Sequence, residues 1–112
     1  MPQVRWRDED TQGHVNHIPM LEWVAQARVD YIDSLYRDDT VDYVLVHLST
    51  DFHAKVYYPD DISVRASIRD KGKTSLTTVY ELFRQDGVRI LTAVCTKVFF
   101  NKKTGTAVNV PF

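Results

Sequence analysis

The sequence predicts an α+β domain in which a five-stranded antiparallel β-sheet wraps around one long central α-helix. Three observations point to this fold class. Only one segment of the 112 residues has helical apolar spacing. Most of the chain after it alternates apolar and polar residues with period two, and short turns separate the alternating segments. The length suits a single domain that covers residues 1–112.

The first elements are a short strand, a loop and the helix. Weak alternation predicts the strand at residues 3–8, and the loop follows at 11–19. The helix is predicted over residues 19–37, PMLEWVAQARVDYIDSLYR, because Pro19 suits a first helical position and apolar residues recur at helical spacing. These residues surround most of the helix circumference, so we expect the helix to be largely buried.

Four long strands are predicted after the helix, at residues 44–58, 62–69, 74–85 and 88–100. In the first of them the even positions are largely apolar, which predicts that one face packs against a core. Short turns connect the strands and carry glycine at two places, KG and DG. Such hairpins indicate antiparallel pairing, and one curved sheet around the helix would bury it with few elements.

The last predicted strand is apolar on both faces. Leu91 and Cys95 lie on one face, and Ile90 and Val94 lie on the other. A strand of this kind is expected to be covered on both sides. Because a chain of this size has little material for a second cover, we expect a homodimer or a homotetramer.

Composition excludes several classes of protein. A formal net charge of −1 argues against a protein that binds nucleic acid by bulk electrostatics. The single cysteine, Cys95, permits no intrachain disulfide and is expected to be a small core residue. The sequence shows neither a secretory signal nor an apolar run long enough to cross a membrane, so we expect a cytoplasmic protein without a membrane partner.

A polar cluster, DEDTQGHVNH at residues 8–17, precedes the helix and is open to three interpretations. It could bind a metal, cap the helix or form a catalytic loop. The possible metal ligands are Asp8, Asp10, His14 and His17. A structural zinc site usually has thiolates or a fuller ligand set, so a metal is the least favoured interpretation and no cofactor is expected. Asp10 lies too far before Pro19 to be a simple helix cap, whereas Asn16 could cap the helix.

The chain resembles a known family over nearly its whole length. The segment VRWRDEDTQGHVNHIPMLEWVAQARVDYI resembles an acidic loop of the form D-x-D-x-x-G-x-V-x-H that leads into a helix with an E/Q-A-R motif. The match extends through the segment DFHAKVYYPDDISVRASI. It continues through the GKTS turn and the two strands that follow it. These motifs resemble the 4-hydroxybenzoyl-CoA thioesterase-like branch of the hotdog fold, which includes the YbgC-type acyl-CoA thioesterases.

The resemblance implies hydrolysis of an acyl-CoA thioester at a dimer interface, without a cofactor. It places the nucleophile or general base at Asp10 and a residue that orients the thioester at His17, while Asn16 occupies a position where relatives have asparagine or tyrosine. The residues suit this chemistry. The positive end of the helix favours an ionised Asp10, and free N–H groups near His17 can donate to the thioester oxygen. Gly13 would allow substrate to approach the backbone closely.

Other residues are candidates for binding the substrate. Trp23 and Phe52 are expected to be core aromatic residues first and walls of an acyl pocket second. His53 lies on a polar strand face that is expected to be solvated or part of an interface; by analogy with the family it could instead line a substrate tunnel. The hairpin residues Lys73, Thr74 and Ser75 have the charge and hydroxyl groups to hold CoA phosphates, although turn lysines are common.

An alternative function is a non-catalytic hotdog protein that binds an acyl-CoA or an acyl-carrier-protein thioester. Asp10 argues against this alternative, because a pure binding protein needs no carboxylate beside the thioester. The sequence leaves both the acyl group and its carrier open.

Overall fold

The computed structural model describes residues 17–57 and 60–112, which form one helix and four strands. The elements are α1 (His17–Leu35), β1 (Val41–Phe52), β2 (Ile62–Lys71), β3 (Ser75–Arg84) and β4 (Arg89–Asn101). The α+β class is therefore confirmed. The fifth strand was predicted at residues 3–8, which lie outside the described residues, so the described sheet has four strands.

The helix begins and ends two residues earlier than predicted. Pro19 lies within its first turn, where backbone N–H groups have no intrahelical partner and a missing N–H costs nothing. After Leu35 the chain turns, and the Asp38 carboxylate accepts hydrogen bonds from the Thr40 backbone N–H at 2.9 Å and from the Thr40 hydroxyl at 2.7 Å. These local hydrogen bonds lead the chain out of the helix and into β1.

The sheet has the strand order β1-β4-β3-β2, and every neighbouring pair is antiparallel. The hairpin between β3 and β4 turns at Gly87, whose φ of 84° is unfavourable for residues with a Cβ atom. The helix packs on one face of the sheet, which we call the inner face. On β4 the inner residues are fully buried, namely Leu91, Ala93, Cys95, Lys97 and Phe99.

A bulge in β1 changes which residues face the helix. The ladder with β4 pairs Leu45 with Lys97 and then His47 with Thr96, so Val46 has no partner of its own. Before the bulge the odd residues lie on the inner face, and after it the even residues do. The prediction of one continuous even face over 44–58 is therefore wrong for Val44, which faces away from the helix and is 50% exposed.

The core consists of two clusters of buried residues, one under each half of the helix. Met20, Trp23 and Val24 pack in the first cluster, which extends to Leu82 and Leu91. The second cluster is formed by Ile32, Leu76, Phe99 and Val110. The helix therefore begins over the β3–β4 hairpin end of the sheet and runs toward the β2–β3 hairpin. No helix in the described part of the chain has the length and apolar character needed to span a membrane.

Candidate functional site

The N-terminus of α1 is the described part of the predicted catalytic region. The helix begins at His17, and the backbone N–H groups of its first turn have no acceptor within the helix. This end of a helix attracts negative charge. Asp10, Gly13, Asn16 and the side chain of His17 lie outside the described residues, as do Asp8 and His14 of the metal interpretation. Among the residues that are described, no group of three His, Cys, Asp or Glu side chains could hold a metal ion.

Trp23 lines a cavity between the helix and strand β2. Its side chain is 6% exposed and belongs to the first core cluster. The cavity has a volume of about 370 Å³. It is lined by Trp23, Gln26, Ala27, Asp30, Tyr31, Val64 and Ala66. The expected core role of Trp23 is thus confirmed, and its indole also contacts a largely apolar space.

Phe52 lies on the inner face of β1, which is exposed there; we call the space between this face and the helix the β1 trough. One wall is the inner face of β1, with Leu48 42% and Phe52 47% exposed. Helical spacing places Leu21, Ala25 and Val29 on the flank of α1 opposite Trp23, which is the flank toward β1. The Thr50 hydroxyl, between Leu48 and Phe52, is buried and has no hydrogen-bond partner within the described structure.

Phe52 is not among the described residues that line the cavity at Trp23. Trp23 contacts the β2 side, whereas Phe52 lies on β1, and these strands form opposite edges of the described sheet. Three strand spacings of about 4.8 Å separate the edges by roughly 14 Å. Phe52 is also exposed, so its expected role as a core aromatic residue is wrong for the single chain.

His53 follows β1 and is exposed. Its Nε2 atom lies 3.0 Å from the Thr92 hydroxyl. Thr92 pairs with Asp51 on the face of the sheet that points away from the helix. The imidazole is therefore bound to the outer face, away from both the cavity at Trp23 and the β1 trough.

The residues predicted to hold phosphates lie at the far end of the molecule from the start of the helix. Lys73 is exposed, and its backbone carbonyl accepts a hydrogen bond from the Val110 N–H at 2.9 Å. The Thr74 carbonyl likewise accepts from the Phe99 N–H at 3.0 Å. Phe99 belongs to the core cluster beneath the C-terminal half of α1. About 25 Å of helix separates this hairpin from His17 in the same chain.

A buried polar cluster between the helix and the sheet was not found from the sequence. Its centre is Lys97, which is 0% exposed and donates a hydrogen bond to the Thr78 hydroxyl at 2.5 Å. Thr78 in turn donates to the Tyr80 hydroxyl at 2.9 Å. Lys97 also interacts electrostatically with the Arg28 guanidinium and with the Cys95 thiol. The alternation of β4 contained the signal, because Lys97 lies between Cys95 and Phe99 in the apolar register.

Burial changes the ionisation of this polar cluster. Loss of water contact lowers the pKa of Lys97 to about 8, with repulsion from Arg28 acting in the same direction and the nearby Cys95 opposing it. Burial raises the pKa of Tyr80 to about 12, despite the hydrogen bond from Thr78. Burial also raises the pKa of the Cys95 thiol, which makes it a core residue rather than a nucleophile.

A sequence model and several solved structures match this chain. The model of a family described as the thioesterase-like superfamily matches residues 4–111. No curated protein sequence matches the chain significantly. A protein from Staphylococcus aureus, solved in complex with CoA, superposes with a TM-score of 0.90 at 15% identity. The match covers 98% of this chain and 73% of that protein.

Two further structures have the same fold. A DHNA-CoA thioesterase from Staphylococcus aureus has a TM-score of 0.82 at 18% identity and covers 96% of this chain and 76% of its own. A predicted thioesterase from Bacillus stearothermophilus has a TM-score of 0.83 at 25% identity and covers 98% of this chain and 84% of its own. The architecture of one helix on an antiparallel sheet is therefore the hotdog fold that the sequence motifs resemble.

Proposed function

From the premise that this chain belongs to the thioesterase-like superfamily, we propose that it hydrolyses acyl-CoA thioesters to a carboxylic acid and CoA, with Asp10 as the catalytic carboxylate. The observation that carries the proposal is the family match, which spans residues 4–111 and so includes the Asp10 loop and the whole helix. The superfamily supports thioester hydrolysis in general. The acyl-CoA substrate and the role of Asp10 are the proposed refinements.

The proposed reaction uses the carboxylate and the start of the helix together. Asp10 takes a proton from water, the water oxygen bonds to the thioester carbonyl carbon, and the carbon–sulfur bond then breaks. The proton passes to the departing CoA sulfur. Backbone N–H groups at the start of α1 stabilise the negative oxygen, and one such donor contributes roughly 3 kcal/mol to a transition state. In the nucleophilic form of the reaction, Asp10 bonds to the carbonyl carbon and the carbon–sulfur bond breaks to release CoA thiolate. Water then hydrolyses the resulting anhydride, which frees the carboxylic acid and Asp10, and a proton from that water goes to the CoA sulfur.

The proposed carrier is CoA, and the proposed assembly is a homodimer formed through β1. A structural neighbour solved with CoA supports the carrier, although acyl carrier protein is an alternative carrier. Val44 and Val46 on β1 are 50% and 57% exposed, and β1 is an edge of the described sheet. A second copy at this edge would cover these residues and close the β1 trough, which supports a substrate site shared between two chains.

The test is release of free thiol from a panel of acyl-CoAs by the wild type and by Asp10→Asn. The panel should include short, medium, long and aromatic acyl groups. We expect the wild type to cleave at least part of the panel and Asp10→Asn to lose the activity while it remains folded, because the amide can neither accept the proton nor attack. Circular dichroism and thermal unfolding check the fold.

The matched control is Glu9→Gln, which makes the same carboxylate-to-amide change one residue away. We expect it to retain wild-type turnover. An Asp10→Asn variant that hydrolyses as fast as the wild type contradicts the assignment of Asp10. Saturable acyl-CoA binding by the wild type without any thiol release favours the non-catalytic alternative.

A further inference from the structure

The most buried stripe of the helix contains an arginine. Residues spaced four apart, Met20, Val24 and Ile32, are each 4% exposed or less. Arg28 occupies the remaining position of this stripe and is half-buried. Its guanidinium interacts with the Cys95 thiol, a weak acceptor, while its Nε atom is buried and has no hydrogen-bond partner in the described residues. A guanidinium in this position is costly unless a negative or accepting group meets it.

A second cation lies opposite Arg28 on the sheet. Lys97 is fully buried, and its hydrogen-bond partner is the neutral hydroxyl of Thr78. Arg28 repels it, and no acidic side chain of the described residues contributes to its electrostatic environment. Two cations thus face each other between the two core clusters, and the described residues provide no carboxylate against Lys97. A carboxylate placed between them would accept charge-assisted hydrogen bonds from both.

The cation pair lies beside the route that an acyl group would take from the start of the helix. Arg28 is 11 residues after His17, which corresponds to about 16 Å along the axis. Its side chain points back toward the N-terminus, as helical side chains do, which shortens this separation. On the helix surface Arg28 adjoins Ala25 and Val29, which lie on the flank toward the β1 trough. An extended medium-length acyl chain in the trough therefore ends near Arg28.

We infer that the preferred acyl group ends in a carboxylate, which Arg28 and Lys97 bind at the far end of the β1 trough. The substrates are then CoA thioesters of medium-length dicarboxylic acids rather than of simple fatty acids. The inference rests on the proposed hydrolase function and adds the substrate class. Lys97 approaches the carboxylate from the sheet and Arg28 from the helix, so that the negative group neutralises both cations.

The test compares matched pairs of CoA thioesters that differ only in the terminal group. Adipyl-, suberyl- and sebacyl-CoA are paired with hexanoyl-, octanoyl- and decanoyl-CoA, and kcat/KM is measured for each. We expect the wild type to prefer the dicarboxylic member of at least one pair by about tenfold or more, since hydrogen bonds to charged groups are the stronger kind.

Variants then test whether the two cations cause this preference. Lys97→Met and Arg28→Met keep an unbranched, flexible side chain and remove the charge, and Lys103→Met is the control at an exposed lysine. We expect both core variants to lose the preference, because kcat/KM for the dicarboxylic member falls about tenfold relative to that for the neutral member, while Lys103→Met keeps the preference. Circular dichroism and thermal unfolding show that each variant is folded.

The outcomes separate this inference from the proposed function. If the wild type cleaves the neutral member of every pair as well as the dicarboxylic member, the inference is overturned and the hydrolase function stands. A preference that survives both core substitutions also overturns it. If the wild type releases thiol from no member of the wider acyl-CoA panel, both proposals fail together.

Discussion

Lys97 lowers the stability of the fold, and its proposed role is to bind the carboxylate of the substrate. Its pKa is lowered to about 8 by burial, whereas an unfolded lysine titrates near 10.4. The unfolded chain therefore binds more protons than the folded chain between these pH values, and the free energy of unfolding rises with pH across the interval. Below pH 8 Lys97 is charged in the folded protein, so the free-energy cost of burying that charge is present in full.

Replacement of Lys97 by methionine should stabilise the protein at pH 7. The substitution removes the buried charge but keeps an unbranched side chain, so we expect the free energy of unfolding to rise by about 1–3 kcal/mol. The gain should shrink as pH rises from 8 to 9.5. Urea unfolding of both proteins at several pH values measures it. Burial raises the pKa of Cys95 and of Tyr80, which makes stability fall as pH rises, so the test uses the difference between the two curves. A difference that does not change with pH contradicts the prediction.

Gly87 gives a second prediction at the scale of one residue. Its φ of 84° is unfavourable for alanine, although no atom lies within 4 Å of the position that a Cβ would occupy. We therefore expect Gly87→Ala to cost about 1 kcal/mol of unfolding free energy through backbone strain alone. Chemical denaturation measures the loss, and Val88→Ala, at the neighbouring exposed residue, is the control. Unchanged stability of Gly87→Ala would show that the turn relaxes.

Among the elements, α1 depends on the residues that it buries against the sheet. Ile32 is 1% exposed and packs with Leu76, Phe99 and Val110. We expect Ile32→Ala to lower the free energy of unfolding by about 3 kcal/mol, because it leaves a cavity in a closed core. Val29→Ala is the matched control on the same helix, since Val29 is 41% exposed, and it should cost far less. Equal losses in the two variants would contradict the packing described for this helix.

The elements could be predicted from the sequence more fully than the details of their faces. Helical and period-two spacing predict α1 and the four described strands, because these patterns follow directly from backbone geometry. The bulge at Val46 leaves no such trace, since Val44, Leu45 and Val46 are all apolar and either face could turn inward. Lys97 was missed for a different reason: a charged residue in a strand is normally assigned to solvent, even when its neighbours in the register are buried.

The candidate site could be predicted in part. The family motifs point to Asp10, Asn16 and His17, and their roles remain predictions because the loop and these side chains lie outside the described residues. Phe52 is not among the described residues that line the cavity at Trp23, and Lys73 lies far from the start of the helix in the same chain. Spacing along a chain does not reveal which strands form the edges of a sheet, and that strand order decides whether two side chains share a pocket.

For the molecule as a whole, the exposed apolar residues of β1 predict assembly. Val46→Glu should convert the proposed dimer to a monomer, because it places a charge on the edge that the second copy covers. Size-exclusion chromatography with light scattering measures the mass. Val88→Glu, which introduces the same charge at a residue 38% exposed near the β3–β4 turn, should remain dimeric. A wild type that is monomeric at high concentration, or a Val46→Glu variant that remains dimeric, contradicts assembly through β1.

The bulge at Val46 also bears on how this protein avoids uncontrolled aggregation. A straight 12-residue edge strand offers many equivalent registers to an incoming strand and can recruit chains without limit. The irregular residue bends the edge and interrupts its ladder of free backbone groups at one place. Two copies related by a twofold axis can match their irregularities with each other, whereas strands displaced in register cannot. In the proposed dimer, this irregularity would favour one self-complementary pairing and disfavour growth into fibres.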